Sequence, residues 1–254
     1  MSRPRWVGPG KGPLRRLHGR MERNMKIAAL ALVALSSLRP VAGLADDAEV
    51  RPFRIHVEDA TLADLKDRLA RTRWPDELSD AGWDYGVPLG YLRELCDYWR
   101  TGFDWRKHEA ELNAFPQFMT KIDGVDIHFL HVRSKHENAT PLVLVHGWPG
   151  SVAEFQKIIP LLTDPTAHGG TADDAFHVVA PSLPGFGFSG KPKERGWSSQ
   201  RMAETTAKLM ARLGYSRYGA QGGDWGGGIV RWLASNDGGH CIGGDATSGP
   251  ERHG

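Results

Sequence analysis

From about residue 118 onward, the hydrophobic positions follow the pattern of a β-sheet with intervening helices. Phe118–Ile122 and Ile127–Val132 flank the dipeptide Asp123-Gly124, a combination that favours a tight hairpin turn. The continuous apolar runs Leu142–Val145 and His177–Ala180 are typical of strands that are buried on both faces. The pattern therefore predicts an antiparallel hairpin beside buried parallel strands.

A helix and a further strand follow in the predicted sheet. Ser199–Leu213 carries Met202 and Leu209 on one face, and Gly214 is a typical C-terminal stop. A short strand, Tyr218–Gln221, comes next. Because strands alternate with helices, we expect an α/β fold with a mostly parallel sheet, flanking helices and the hairpin at the sheet edge.

The segment from residue 46 to 117 has a different texture, with helices and many aromatic residues. A capping-box pattern at Thr61 predicts a helix that ends at Trp74-Pro75, and a second helix is predicted over Leu89–Trp99. The remainder reads as loop. We expect this meander to pack on the larger body, because its loops carry bulky aromatic side chains: Trp83, Tyr85, Phe103, Trp105, Phe115 and Phe118.

The first 45 residues have the order of a secretory signal. Lys26 precedes the uncharged apolar run Ile27–Leu38, Arg39-Pro40 interrupts it, and Gly43-Leu44-Ala45 offers a small-x-small cleavage site. The run is too short for a stable membrane span, which needs roughly 20 residues. We therefore expect export to the periplasm or medium. The alternative is a membrane anchor formed by the same run.

Charge and composition restrict the partners. The formal net charge is +2, but residues 1–26 alone carry +7, which leaves −5 on residues 27–254. A mildly acidic body without a basic stripe argues against a nucleic-acid partner. The two cysteines, Cys96 and Cys241, are too few for a disulfide scaffold and have no metal-ligand spacing. No metal or cofactor is predicted.

The first motif that suggests chemistry is His146-Gly147-Trp148-Pro149-Gly150, directly after the first apolar strand. In α/β sheets the active site lies at the carboxyl ends of the strands. A glycine-rich turn there lets the backbone approach a substrate oxygen and donate an N–H to an oxyanion. Taken alone, the motif is equally consistent with a simple strand-exit turn.

The second motif is Gly222-Gly223-Asp224-Trp225-Gly226, between a strand and a helix-like stretch. It has the form of a nucleophile elbow, with an aspartate where serine hydrolases carry serine. A carboxylate is already ionised at neutral pH and attacks an alkyl carbon without a base. Aspartate in a glycine-rich turn is more often a turn former, so the order of both motifs along the chain carries the argument.

From Pro52 to Ala234 the sequence resembles the microsomal-type epoxide hydrolases. The segments that carry the resemblance are the two motifs, the meander at 53–83 with Ala70–Pro75, Ala114–Phe118, and Ala180–Ser189. The resemblance implies an α/β-hydrolase fold, a small-molecule epoxide substrate and Asp224 as nucleophile. It also implies that the N–H groups of Trp148 and Trp225 form the oxyanion hole, with His146, Gly147 and Pro149 supporting the loop.

After Asp224 the resemblance soon ends. Residues 118–236 correspond to the N-terminal half of the hydrolase core, and residues 237–254 read as an unrelated tail that contains His240, Asp245 and His253. The acid, the general-base histidine and the cap tyrosines that the resemblance implies have no counterpart. We therefore expect a C-terminally truncated relative with an unpaired sheet edge beside the nucleophile strand, and no multiple turnover of epoxide.

Two alternatives stay open at this point. A haloalkane-dehalogenase-like enzyme of the same fold would also place an Asp-Trp pair at the elbow, with the indole binding halide. The aromatic meander before Phe118 favours the epoxide interpretation. The other alternative is a non-catalytic binding module or remnant. The substrate's identity and the oligomeric state are not determined by the sequence.

Export gives a first test. If signal peptidase cleaves after Ala45, the mature protein begins at or near Asp46. N-terminal sequencing of secreted or periplasmic material from an expressing cell should return that residue. Recovery of a membrane-bound product that still carries Ile27–Leu38 would support the anchor instead.

Overall fold

A computed structural model describes residues 49–247, and its main feature is one seven-stranded sheet. The strands are β1 (Arg51–Pro52), β2 (Gln117–Ile122), β3 (Val125–Val132), β4 (Thr140–Val145), β5 (Phe176–Pro181), β6 (Tyr218–Gly223) and β7 (Cys241–Thr247). Their order across the sheet is β1-β2-β3-β5-β4-β6-β7. β5, β4, β6 and β7 are parallel, and the other pairs are antiparallel. The predicted α/β fold is confirmed.

The predicted helices occur in the predicted order, and the structure has further short helices between them. They are α1 (Asp59–Ala70), α2 (Leu89–Thr101), α3 (Trp105–Leu112), α4 (Ile158–Thr163), α5 (Ser199–Arg212) and α6 (Trp225–Asn236), with short 3-10 turns at Val152–Phe155, Pro165–His168 and Ala172–Asp174. None of these helices is long and apolar enough to cross a membrane. The signal-like run and its cleavage site lie outside the described residues.

The hairpin at the sheet edge forms as its sequence predicts. Ile122 pairs with Val125, so the loop between β2 and β3 has two residues. Asp123 and Gly124 both have positive φ, 50° and 78°. Two positive φ angles are required by the tight turn whose twist matches that of the flanking strands. Asp123 also accepts a hydrogen bond from Lys208 Nζ on α5, which ties the turn to the sheet's helical layer.

Hydrophobic side chains cover both faces of the sheet. Val143 packs on one face with Leu209 of α5 and Ile229 of α6. Leu144 packs on the other face with Ile159 of α4. Successive strand residues point to opposite faces, so a strand buried on both sides needs a continuous apolar run. This explains why β4 lacks the alternating pattern of the hairpin.

The first helix of the meander differs from its prediction at both ends. The first helix begins at Asp59, with Glu58 as its N-cap, so Thr61 lies inside the helix and forms no capping box. The same helix ends at Ala70, four residues before Trp74. An acidic residue in the first turn stabilises the helix N-terminus through the helix dipole, and here Asp59 occupies that position.

Helix α3 was expected to be loop, and it connects the meander to the sheet. Asp104 caps it by accepting a hydrogen bond from the Lys107 N–H at 3.2 Å. Glu109 on α3 is buried and accepts the Val57 N–H at 2.7 Å and a bond from Arg106 at 2.7 Å. The bond from Val57 is the main cause that lowers the pKa of Glu109. The buried Glu109 carboxylate therefore holds the backbone at Val57 against α3.

The expected unpaired edge beside β6 is wrong. Cys241–Thr247, in the predicted tail, forms β7 and pairs with β6 along its length. Gly244 has a packing role in this strand, because a Cβ there would lie 2.8 Å from Val230 Cγ1 of α6. Glycine and aspartate are depleted in strands, so the composition of this segment indicates loop while its tertiary contacts select a strand.

A buried histidine joins three segments of the fold. His128 on β3 is fully buried, with Nδ1 2.9 Å from Ser182 Oγ and Nε2 2.8 Å from Gln117 Oε1. The amide oxygen of Gln117 can only accept, so Nε2 carries the proton and Nδ1 accepts from Ser182. Phe53 and Phe188 pack against the imidazole edge to face. The meander, the hairpin and the loop after β5 thus share one polar centre.

This histidine predicts a loss of stability in acid. Burial lowers the pKa of His128 from 6.5 to about 4. Between these two pH values the histidine is protonated in the unfolded chain and neutral in the folded chain. The free energy of unfolding should fall between pH 6.5 and pH 4, by at most about 3 kcal/mol from this group. Urea unfolding at both pH values measures it.

The matched variants are His128→Gln and His168→Gln, the latter at an exposed position. His128→Gln should unfold more easily at neutral pH and lose part of the acid slope, whereas His168→Gln should keep the wild-type slope. Equal slopes in wild type and His128→Gln would show that the imidazole is not the group that titrates.

Candidate active site

Asp224 lies at a sharp turn between β6 and α6. Its backbone has φ 53° and ψ −124°, a conformation that is strained for any residue with a side chain. Gly222 and Gly226 are required because a side chain at either position would collide with backbone atoms. A Cβ on Gly222 would lie 2.6 Å from the Gly226 carbonyl oxygen, and a Cβ on Gly226 would overlap the Val145 carbonyl oxygen. The predicted elbow geometry is therefore present.

The predicted oxyanion loop meets this elbow. β4 and β6 are parallel neighbours, and Val145 pairs with Gly222, so both motifs follow the carboxyl ends of adjacent strands. The Trp148 N–H donates a hydrogen bond to Asp224 Oδ1 at 2.9 Å. A Cβ on Gly147 would lie 2.8 Å from that same oxygen, so only glycine permits this approach.

The carboxylate of Asp224 is exposed and is stabilised in its charged form. Hydrogen bonds from the backbone N–H of Trp148, and next from that of Trp225, hold the pKa of Asp224 below its usual range. Hydrogen bonds to the charged form favour ionisation. These are the two donors that the sequence assigns to an oxyanion hole, and both point at the carboxylate.

His146 lies behind the loop and does not face the cleft. It is buried, its Nδ1–H donates to the Gly147 carbonyl oxygen at 2.9 Å, and its Nε2 accepts the Leu183 N–H at 3.0 Å. Burial lowers its pKa, which favours the neutral ring. The imidazole therefore joins the loop after β4 to the loop after β5. Pro149 follows Trp148 through a cis peptide bond.

An open cleft of about 430 Å³ surrounds Asp224. Its lining consists of Gly147, Trp148, Pro149, Gly150, Glu154, Gly223, Asp224 and Thr247. Trp148 is 64% exposed, and Trp225, which follows Asp224 and is not among the lining residues, is 58% exposed. No lining residue in the described part of the chain is a histidine, lysine or arginine. The cleft thus offers two carboxylates, backbone donors and the aromatic side chain of Trp148.

Two cleft residues were not found by sequence reasoning. The Ser151–Glu154 spacing has the form of a capping box, and the structure forms it, with the Ser151 N–H donating to Glu154 Oε1 at 3.1 Å. This signal could have identified Glu154. Thr247 accepts the Asp224 N–H at 3.2 Å through its carbonyl oxygen. No local signal indicates Thr247, because its place depends on the pairing of β7.

His240 and Asp245 of the predicted tail are not among the residues that line the cleft. His240 precedes β7, at the opposite end of that strand, and its Nδ1 hydrogen-bonds the Ser216 carbonyl oxygen at 2.7 Å. Asp245 pairs in register with Gln221. His253 lies outside the described residues. Among residues 49–247, no group of three or more His, Cys, Asp or Glu is placed to hold a metal ion.

Two family models match overlapping parts of the chain. The epoxide hydrolase N-terminus matches residues 50–155, and the α/β-hydrolase fold matches residues 140–243. Pig epoxide hydrolase 1 is 45% identical over 192 residues, 74% of this chain and 42% of the pig protein. The chain belongs to the epoxide hydrolase family. An epoxide hydrolase homologue of Stigmatella aurantiaca is 60% identical over 185 residues, 73% of this chain and 42% of the homologue.

Solved structures agree with this family. The juvenile hormone epoxide hydrolase of the silkworm Bombyx mori superposes with a TM-score of 0.71 at 35% identity, covering 79% of this chain and 53% of that chain. The epoxide hydrolase of Aspergillus niger gives 0.70 at 34% identity, with 80% and 53% covered. The matches to the Stigmatella and pig proteins cover 42% of each, so this chain spans less than half the length of these two relatives.

Alanine at two glycines of α6, Gly226 and Gly228, should change the free energy of unfolding in opposite directions. Gly226→Ala should lower the free energy of unfolding by roughly 1–3 kcal/mol, because its Cβ meets backbone atoms that cannot move cheaply. Gly228→Ala, whose Cβ would approach no atom closer than 3.7 Å, should raise it by about 0.5–1 kcal/mol through helix propensity. Urea unfolding compares the two. Equal effects would mean that the elbow is not closely packed.

Proposed function

We propose that this chain carries the nucleophilic half of an epoxide hydrolase, in which Asp224 opens the epoxide ring and forms an ester. One observation carries the proposal: an exposed carboxylate at a strained elbow accepts the N–H of the neighbouring loop, Trp148, at 2.9 Å. The family relationship supplies the substrate class. The epoxide hydrolase N-terminal model over residues 50–155 favours this class over alkyl halides.

In the first step an Asp224 carboxylate oxygen attacks a ring carbon. The bond between that carbon and the ring oxygen breaks, and the resulting alkoxide takes a proton from water. No base is needed, because the hydrogen bonds from Trp148 and Trp225 lower the pKa of Asp224 and keep it ionised. The product is a hydroxyalkyl ester on the enzyme.

In the second step water attacks the acyl carbon of the ester. Negative charge develops on the acyl oxygen, and the N–H groups of Trp148 and Trp225 stabilise it there. Collapse of the intermediate releases the diol and restores the carboxylate. The oxygen that leaves with the diol comes from Asp224, and the new carboxylate oxygen comes from water.

The second step needs a base to activate water. No histidine lines the described cleft, and the Glu154 carboxylate there is held by the Ser151 N–H. His146, which directly precedes the cleft residue Gly147, is buried, and both of its ring nitrogens are occupied by backbone partners. The first step does not depend on such a base. The 254-residue chain should therefore accumulate the ester instead of turning over.

Intact-mass measurement after incubation with a neutral terminal epoxide tests this proposal. The protein should gain one epoxide mass, the gain should persist after the reagent is removed, and peptide mapping should place it on Asp224. Asp224→Asn should remain unmodified, because its amide is a poor nucleophile. Asp173→Asn, an exposed aspartate before β5, should be modified like the wild type.

A result in which Asp224→Asn gains the same mass would remove Asp224 as the nucleophile. A primary alkyl bromide run in parallel tests the dehalogenase alternative. Faster modification of Asp224 by the bromide than by the epoxide, each relative to its reaction with free acetate, would favour that alternative.

A further inference from the structure

The cleft around Asp224 has an uneven charge. Two carboxylates, Asp224 and Glu154, belong to its lining, whereas the other lining residues in the described chain are uncharged. Two negative charges without a basic residue create a field that attracts cations and repels anions, even in an open cleft. This charge pattern is independent of the nucleophile assignment.

Glu154 is held in place against the loop. Its Oε1 accepts the Ser151 N–H at 3.1 Å, and the Ser151 hydroxyl accepts the Ala153 N–H at 3.3 Å. The carboxylate lies directly over Gly150, where a Cβ would overlap it. The second charge is therefore fixed on the cleft wall by backbone contacts.

An aromatic surface accompanies these charges. Trp148 lines the cleft and is 64% exposed, and Trp225, next to Asp224 in sequence, is 58% exposed. The face of an indole attracts cations, and aromatic side chains are the usual receptors for quaternary ammonium groups. Carboxylates and an exposed indole together fit a bulky, weakly hydrated cation.

We infer that the cleft selects epoxides that carry a positive charge close to the ring, such as a quaternary ammonium group, over neutral and anionic epoxides. The inference rests on the proposed function. A cation one carbon from the ring would lie beside Asp224 during the attack, in the cleft that Glu154 also lines. It also stabilises the alkoxide that forms when the ring opens.

Three epoxides of similar size test the inference on the full chain. They are glycidyltrimethylammonium, its uncharged isostere 4,4-dimethyl-1,2-epoxypentane, and 3,4-epoxybutanoate. The rate of ester formation at Asp224 is followed by intact mass, and each rate is divided by that of the same epoxide with free acetate. This division removes intrinsic reactivity. The cation should react about tenfold faster than the isostere, and the anion about tenfold slower.

Charge variants separate the effect of Glu154 from that of Asp224. Glu154→Gln keeps an oxygen for the Ser151 N–H and removes the charge, so the cation-to-neutral ratio should fall roughly threefold. Glu137→Gln, an exposed residue before β4 at the opposite end of that strand, should leave the ratio unchanged. In wild type, raising the salt to about 1 M should shrink the ratio, because the Debye length falls to about 3 Å.

The outcomes distinguish the two proposals. A ratio near one in wild type at low salt, with ester still formed on Asp224, would overturn the charge preference and leave the nucleophile assignment intact. A ratio that survives high salt and Glu154→Gln would also overturn it, because the selectivity would not be electrostatic. Absence of ester with all three epoxides would overturn both proposals.

Discussion

The close approach between the end of β4 and the start of α6 is the constraint on which the site depends. At Gly226 the helix backbone lies against the carbonyl oxygens of Val145 and His146, where no side chain fits. This contact fixes the distance between two loops that are 76 residues apart, and it lets the Trp148 N–H reach the Asp224 carboxylate. The strained turn at Asp224 is maintained because the sheet and the helix on both sides of it are packed.

Local signals in the sequence were sufficient for the parts of the site that depend on glycine. The turn at Asp224 and the loop from His146 to Gly150 both require close backbone contacts. Such contacts are possible only at glycine, so they can be recognised in the sequence. The hairpin at Asp123-Gly124 was predictable for the same reason. The strained position of Asp224, the backbone donors to its carboxylate and the parallel sheet could thus be inferred from short segments.

Long-range contacts explain what the sequence did not reveal. β7 has glycines at 243 and 244, which indicate loop, but it forms a strand because β6 offers an unpaired edge and Gly244 fits beneath α6. Thr247 reaches the cleft only through that pairing. Helix α3 is short and polar, and its stability depends on contacts of Glu109 with distant Val57. Tertiary context overrode local propensity in both cases.

The first two helices of the meander have a consequence for how the molecule opens. α1 and α2 contain no buried residue, and they contact chiefly each other. Regions with few buried contacts unfold locally at a lower free energy than the core. Their amide hydrogens should exchange with solvent in openings that leave β4, β6 and α6 protected. We therefore expect the α1–α2 pair to open as a separate unit while the surroundings of Asp224 remain assembled.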